Sequence, residues 1–224
     1  MAIFLTWVRA VLHLRSLTDM NLFMERMGSA VCHQMAERSF IFEGMQMPLC
    51  ARCTGIYIGA FFAFCFFFLK KRIDNGKAFS IGQAALTGCA ILPIGIDGVG
   101  SYLGFWESSQ WMRVLSGSLA GVIVPGFLLM AVNYDPQKRN EKPIYEKTSE
   151  LLFLMAIAVG FGMLLYAGVP VGGIAGAVSV LGEVFLWGGV VWMLLKSVCK
   201  DRALWGISLV VSASILFLVG GLVP

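Results

Sequence analysis

The sequence predicts an all-α fold, a polytopic helical bundle set in a membrane with six spans, and three observations predict it. The 224 residues are 58% hydrophobic and only 13% charged, against roughly 25% charged in a soluble domain. Mean hydropathy is +0.80, with 12 Met and 17 Phe. The apolar residues gather into runs of about 20, the length that crosses ~30 Å of hydrocarbon, and none of these runs alternates as a strand would. A net charge of +4 is ordinary for such a chain and gives no reason to expect a nucleic-acid partner.

Residues 1–17 form an apolar run that carries Arg9, His13 and Arg15, and no small-residue cleavage site follows. The expectation is therefore no cleavable signal peptide, and a segment that lies in the interface or inserts as a short first helix. Residues 1–52 read as an N-terminal segment at the membrane surface, and residues 53–224 as the transmembrane domain. Its six spans are predicted at 53–69, 78–96, 114–132, 151–168, 175–195 and 203–222. Helices are expected because lipid offers the backbone no other partner than itself.

The basic residues set the expected orientation. Lys70, Lys71, Arg72 and Lys77 follow the first span, Lys138, Arg139, Lys142 and Lys147 the third, and Lys196, Lys200 and Arg202 the fifth. All the lysines then fall on one face, the inside of a prokaryotic cytoplasmic membrane, and the opposite face carries Arg9, Arg15, Arg26, Arg38, Arg52 and Arg113. The first and third spans also open alike, with an arginine, a hydroxyl residue and then Gly-xxx-Gly: Arg52, Thr54, Gly55 and Gly59 in one, Arg113, Ser116, Gly117 and Gly121 in the other. Small residues four apart let helices approach closely, so these two spans are expected to pack together and to bring Arg52 and Arg113 to one rim.

The chemistry concentrates in Cys32-His33-Gln34, Arg38-Ser39-Phe40 and Pro48-Leu49-Cys50-Ala51-Arg52-Cys53-Thr54-Gly55, placed on the outer face by the lysine pattern. Two cysteines three apart at a helix start can share a metal ion, and the helix N-terminus favours their thiolates. Cys32 or His33 completes a tetrahedral set, so the expected ligands are Cys32, His33, Cys50 and Cys53. Zinc is the expected ion, with iron or copper as alternatives. Copper(I) draws support from Met24, Met27, Met35, Met45 and Met47 close by. The same cysteines fit a thiol–disulfide oxidoreductase that exchanges electrons with a quinone, or a staple that clips the N-terminal segment to the first span. Cys65 and Cys89 behave as small apolar residues inside spans, and neither they nor Cys199 receives a role.

Charges near lipid are the second clue. Asp97 is expected at the outer end of the second span, there to pair with Arg113, orient His33 or supply a hard ligand. Glu183 lies inside the fifth span and needs a partner or a water-filled path. His33, Asp97 and Glu183 are thus the candidate catalytic groups, and Arg38, Arg52 and Arg113 the candidate anion-binding groups for a lipid or polyprenyl phosphate. Snorkelling is the plain alternative for each arginine. A small transporter, with Glu183 and Asp97 along a polar path and the cysteines as a staple, is the third class of function. Membrane lipids are the expected partners, self-association is left open, and so is whether the chain is an enzyme.

The cysteine block resembles a family of predicted bacterial and archaeal membrane proteins known only as a domain of unknown function. The resemblance continues through Gly44, Pro93, Asp97-Gly98, Glu107-Ser108, Arg113, Gly117 and Gly121, and so covers roughly residues 30–125. It implies that the motif, Asp97 and Arg113 belong to one functional unit, and it implies no activity.

Overall fold

The computed structural model describes residues 17–42, 44–137, 140–196 and 204–222. Arg9, His13, Arg15, Lys138, Arg139, Cys199, Lys200 and Arg202, and with them the apolar run before residue 17, lie outside the described residues. In chain order the elements are α1 (Leu17–Ser29), a 3-10 turn (Ala36–Arg38), β1 (Ser39–Phe42), β2 (Met45–Cys50), α2 (Ala51–Leu69), α3 (Ile81–Tyr102), α4 (Gln110–Asn133), α5 (Thr148–Tyr166), α6 (Gly172–Lys196) and α7 (Leu204–Gly220). Each predicted span has its helix. Among the described residues, α2 to α6 are the five helices long and apolar enough to cross a membrane, and the apolar part of α7, Trp205–Gly220, is shorter.

The second span differs most from its predicted bounds, for local reasons. It starts at Ile81 rather than 78 because Ser80 caps it. The Ser80 hydroxyl accepts from the Gln83 N–H at 3.3 Å, and the Gln83 side chain accepts from the Ser80 N–H at 3.1 Å. It runs on to Tyr102 rather than 96, because the chain offers no left-handed position until Gly104, at φ +76°. Asp97 therefore sits inside a helix and not at its end. The all-α expectation also missed a small antiparallel hairpin, β1 with β2, which pairs Phe42 with Met45 and Ser39 with Cys50 across an irregular register. Gly44 supplies its turn at φ +78°.

The expected pairing of the first and third spans is the spine of the bundle. Gly55 and Gly59 of α2 lie against the backbone of Val114 and Ser118, and Gly117 and Gly121 of α4 against the carbonyls of Arg52 and Ile56. Around this seam α6 packs on α2 through Gly182, which faces the Tyr57 carbonyl, and through Gly189, which faces Phe64. The core toward the lysine-bearing end holds Phe64, Phe67, Ile123, Leu129, Tyr145 and Trp192. Lipid gives helices no hydrophobic reason to associate, so close packing of this kind is what holds them. By contrast α3 turns Ile91, Leu92, Ile96 and Val99 outward, as a helix at the edge of the bundle does.

At that end Arg72 is consumed internally. Its guanidinium is buried, donates to the Ile144 carbonyl at 3.2 Å and pairs with Glu150 at 2.7 Å and Glu146 at 2.9 Å. The Glu150 carboxylate beside it raises its already high pKa further. Arg72 thus ties the loop after α2 to the start of α5, and it is not a free loop charge of the kind that orients a membrane protein.

Candidate metal centre

Three elements bring the cysteines together. Leaving α1, the chain turns back at once, with the Cys32 N–H donating to the Gly28 carbonyl at 3.0 Å. A Cβ at Gly28 would lie 2.2 Å from the Pro48 carbonyl oxygen, so only glycine lets α1 touch β2 here. Gln34, at φ +50°, then acts as a clasp. Its amide donates to the carbonyls of Glu25 at 2.7 Å and Pro48 at 2.8 Å, and its own carbonyl accepts from the Gln46 amide at 2.6 Å. Gln34 belongs to the cysteine motif, and its spacing alone does not signal this role. Gln34→Ala is expected to cost about 1–3 kcal/mol through the two lost bonds, seen as a lower unfolding midpoint in detergent and faster alkylation of Cys32.

β2 runs without a break into α2, placing Cys50 at the helix cap and Cys53 in the first turn. The Cys50 N–H donates to the Cys32 sulfur at 3.3 Å and the Gln34 N–H to the same sulfur at 3.5 Å. The Sγ atoms of Cys32, Cys50 and Cys53 all lie within 4.8 Å of one another, and all three are free thiols. Hydrogen bonds from Cys32 and then Cys53 hold the Cys50 thiol far below its ordinary pKa, and the same contact with Cys50 pushes Cys32 up. One negative charge is shared within the trio, and the positive end of α2 favours it at Cys50.

His33 is not part of this group. It is exposed beside Cys32, because side chains of neighbouring residues leave the backbone in different directions and Cys32 takes the inward one. Asp97 is buried, but its partner is neither Arg113 nor His33. Arg52, carried into the first turn of α2, pairs with it across to α3. A buried carboxylate near lipid needs the nearest cation, and that need takes Arg52 out of the expected trio of anion-binding arginines. Arg38 and Arg113 remain, lining a separate cavity between the 3-10 turn, the end of α3 and the start of α4. The charges of both Arg38 and Arg52 act on Arg113, so the three do gather at one rim.

Glu183 is fully buried in α6, and neither of its carboxylate oxygens has a partner among the described residues. It is not brought into the thiol group. Tyr57 relates the two: it packs against Cys32 and Leu49 in one buried cluster and lies within the field of Glu183 as well as of the thiols. Its hydroxyl accepts from the Trp187 ring N–H at 3.4 Å. Sequence reasoning overlooked Tyr57, although it stands four residues after Cys53 and so on the same helix face. The methionines do not converge on the sulfurs as a set. Met24 and Met27 pack with Val180, Leu216 and Phe217, Met47 with Phe40 and Ile58, while Met35 and Met45 are exposed.

Residues 32–128 match the family described as Predicted membrane protein (DUF2085). That stretch holds the three cysteines, Asp97 and Arg113, and Glu183 lies beyond it. An uncharacterized protein of Methanocaldococcus jannaschii is 35% identical over 101 residues, which are 45% of this chain and 63% of that protein. An uncharacterized protein of Methanothermobacter thermautotrophicus is 36% identical over 92 residues, 41% of this chain and 78% of that protein. No solved structure matches the chain.

Proposed function

We propose that this chain, which belongs to the family described as Predicted membrane protein (DUF2085), binds a zinc ion through Cys32, Cys50 and Cys53 at the outer boundary of the membrane. The observation that carries the reading is the mutual approach of three sulfurs from two separate stretches of chain, all within 4.8 Å. Zinc–sulfur bonds of about 2.3 Å set tetrahedral sulfurs about 3.8 Å apart, so small side-chain rotations convert the observed group into a ligand set. Thiolates suit zinc and also iron or copper(I), and a cysteine with a depressed pKa gives up its proton to a metal at little cost.

Three protein ligands leave a fourth position for water or substrate, the arrangement of catalytic rather than structural zinc. Bound there, zinc would supply a Lewis acid and an acidified water. His33, next to Cys32 in the chain and exposed, is the general base in this reading, and a lipid or lipid-phosphate is the substrate class. Asp97 serves it indirectly by holding Arg52. The outer location rests on the lysine distribution. Elemental analysis of detergent-purified protein tests the reading: about one zinc per chain is expected, with less than about a tenth left in Cys50→Ser. Undiminished stoichiometric metal in that variant would sink the site.

One observation favours a second reading. A thiolate-prone Cys50 with two more thiols in reach is also the arrangement of a dithiol oxidoreductase. Two of the thiols would join as a disulfide, and the two electrons and two protons released would reduce a quinone to a quinol. Metal-free protein whose thiols become countable only after reduction would place this reading ahead of zinc.

A further inference from the structure

The rim cavity lined by Arg38 and Arg113 has features that the thiol group does not explain. It is a cavity of about 590 Å³ open to the surface, within the range of small-molecule sites. Two guanidiniums line it, and so do two carboxylates, Glu37 and Glu107. Among the described residues none of the four forms an ion pair. Charges of both signs facing one cavity without reaching each other are an arrangement that a ligand carrying both signs would complete. Ser108 also lines the cavity and is only 7% exposed, but its hydroxyl oxygen is itself shut away from the surface and has no hydrogen-bond partner among the described residues. Trp106 forms a fixed wall, because its ring packs directly over Gly100 of α3, where a Cβ would lie 2.1 Å from it. Beside the opening Tyr102, Leu103 and Phe105 are exposed, an apolar flank of the kind an acyl chain covers.

We infer that this cavity binds a zwitterionic phosphate ester of the phosphoethanolamine type, its phosphate held by Arg38 and Arg113 and its ammonium by Glu37 and Glu107. Guanidiniums grip phosphate through paired N–H donors. The two carboxylates make a bare anion a poor fit and supply the reason for selectivity. The same chemistry is offered by a lipid headgroup and by a soluble phosphate ester. None of the three cysteines lines the cavity, and its test does not depend on whether they hold a metal.

The experiment is a calorimetric titration of detergent-purified protein with O-phosphoethanolamine, with inorganic phosphate and with dihexanoyl phosphatidylethanolamine below its micelle concentration. Phosphoethanolamine is expected to bind about tenfold tighter than inorganic phosphate. Arg113→Gln is expected to weaken it about tenfold or more, and Glu107→Gln to remove most of the preference over inorganic phosphate. Arg38→Gln, a change at an exposed residue, is expected to weaken it several-fold, which keeps the test open if the Arg113 variant folds poorly. A short-chain lipid that binds tighter than the soluble ester assigns the site to membrane headgroups, and equal affinities assign it to soluble esters; both support the cavity. No binding by either, inorganic phosphate binding as tightly as phosphoethanolamine, or affinity unchanged in both Arg113→Gln and Arg38→Gln overturns it.

Discussion

Gly121→Val is expected to force α2 and α4 apart and to cost more than about 3 kcal/mol. A Cβ at Gly121 would stand 2.0 Å from the Ile56 carbonyl oxygen, one at Gly117 2.3 Å from the Arg52 carbonyl and one at Gly59 2.5 Å from that of Ser118. The atoms in the way are backbone of the facing helix, so no side-chain rotation relieves the clash and the helices must separate along their length. Packing loosened on this seam has no hydrophobic term to replace it, since lipid is as apolar as the side chains. Alanine at Gly121 should fall the same way by a smaller amount. Gly95→Ala, on lipid-facing α3 with nothing within 4 Å of the added carbon, should change stability by less than about 0.5 kcal/mol. Thermal unfolding of the purified variants in one detergent checks this, and equal midpoints for Gly121→Val and Gly95→Ala would refute the seam.

Asp97→Ala should be nearly as severe, at about 3–5 kcal/mol. The carboxylate is 3% exposed and Arg52 a quarter exposed, and deleting Asp97 leaves that guanidinium half-sunk in a low-dielectric layer without its counterion. One nitrogen of Arg52 and one oxygen of Asp97 already lack hydrogen-bond partners among the described residues, so the pair has no reserve. The cost belongs to the orphaned charge more than to the lost attraction. Removing both charges with Arg52→Met and Asp97→Leu should therefore recover most of the stability, and a double-mutant cycle on unfolding midpoints measures the difference. A double variant as unstable as Asp97→Ala alone would show that Asp97 matters for something other than its arginine. The pair also fixes α2 against α3 beside the thiols, so Asp97→Ala should lower retention of the proposed zinc ion even though Asp97 is not among the three cysteines proposed to bind it.

Much of this protein was legible from composition and spacing alone. Runs of apolar residues long enough to cross hydrocarbon have one backbone solution, so the helices and their order followed from the sequence. The Gly-xxx-Gly pairs at Gly55/Gly59 and Gly117/Gly121 marked the helix seam, because absence of a side chain is visible in a sequence and close approach is its direct consequence. The motif spacing placed Cys50 and Cys53 at a helix start and left both Cys32 and His33 as candidates to complete the set. What the sequence could not show was which way each neighbouring polar group points. Cys32 turns inward and His33 outward through the clasp of Gln34, whose partners, Glu25 and Pro48, lie on two different elements. Arg52 could have faced an anion or Asp97, and the choice hinged on where two helices begin and end: α2 opens at Ala51 and α3 continues to Tyr102, which puts the two charges within reach of each other. Local sequence determines the helices and the stock of reactive side chains. Pairing among those side chains is decided by the tertiary structure, because the cost of leaving a buried charge or hydrogen-bonding group unmatched depends on what other elements bring beside it.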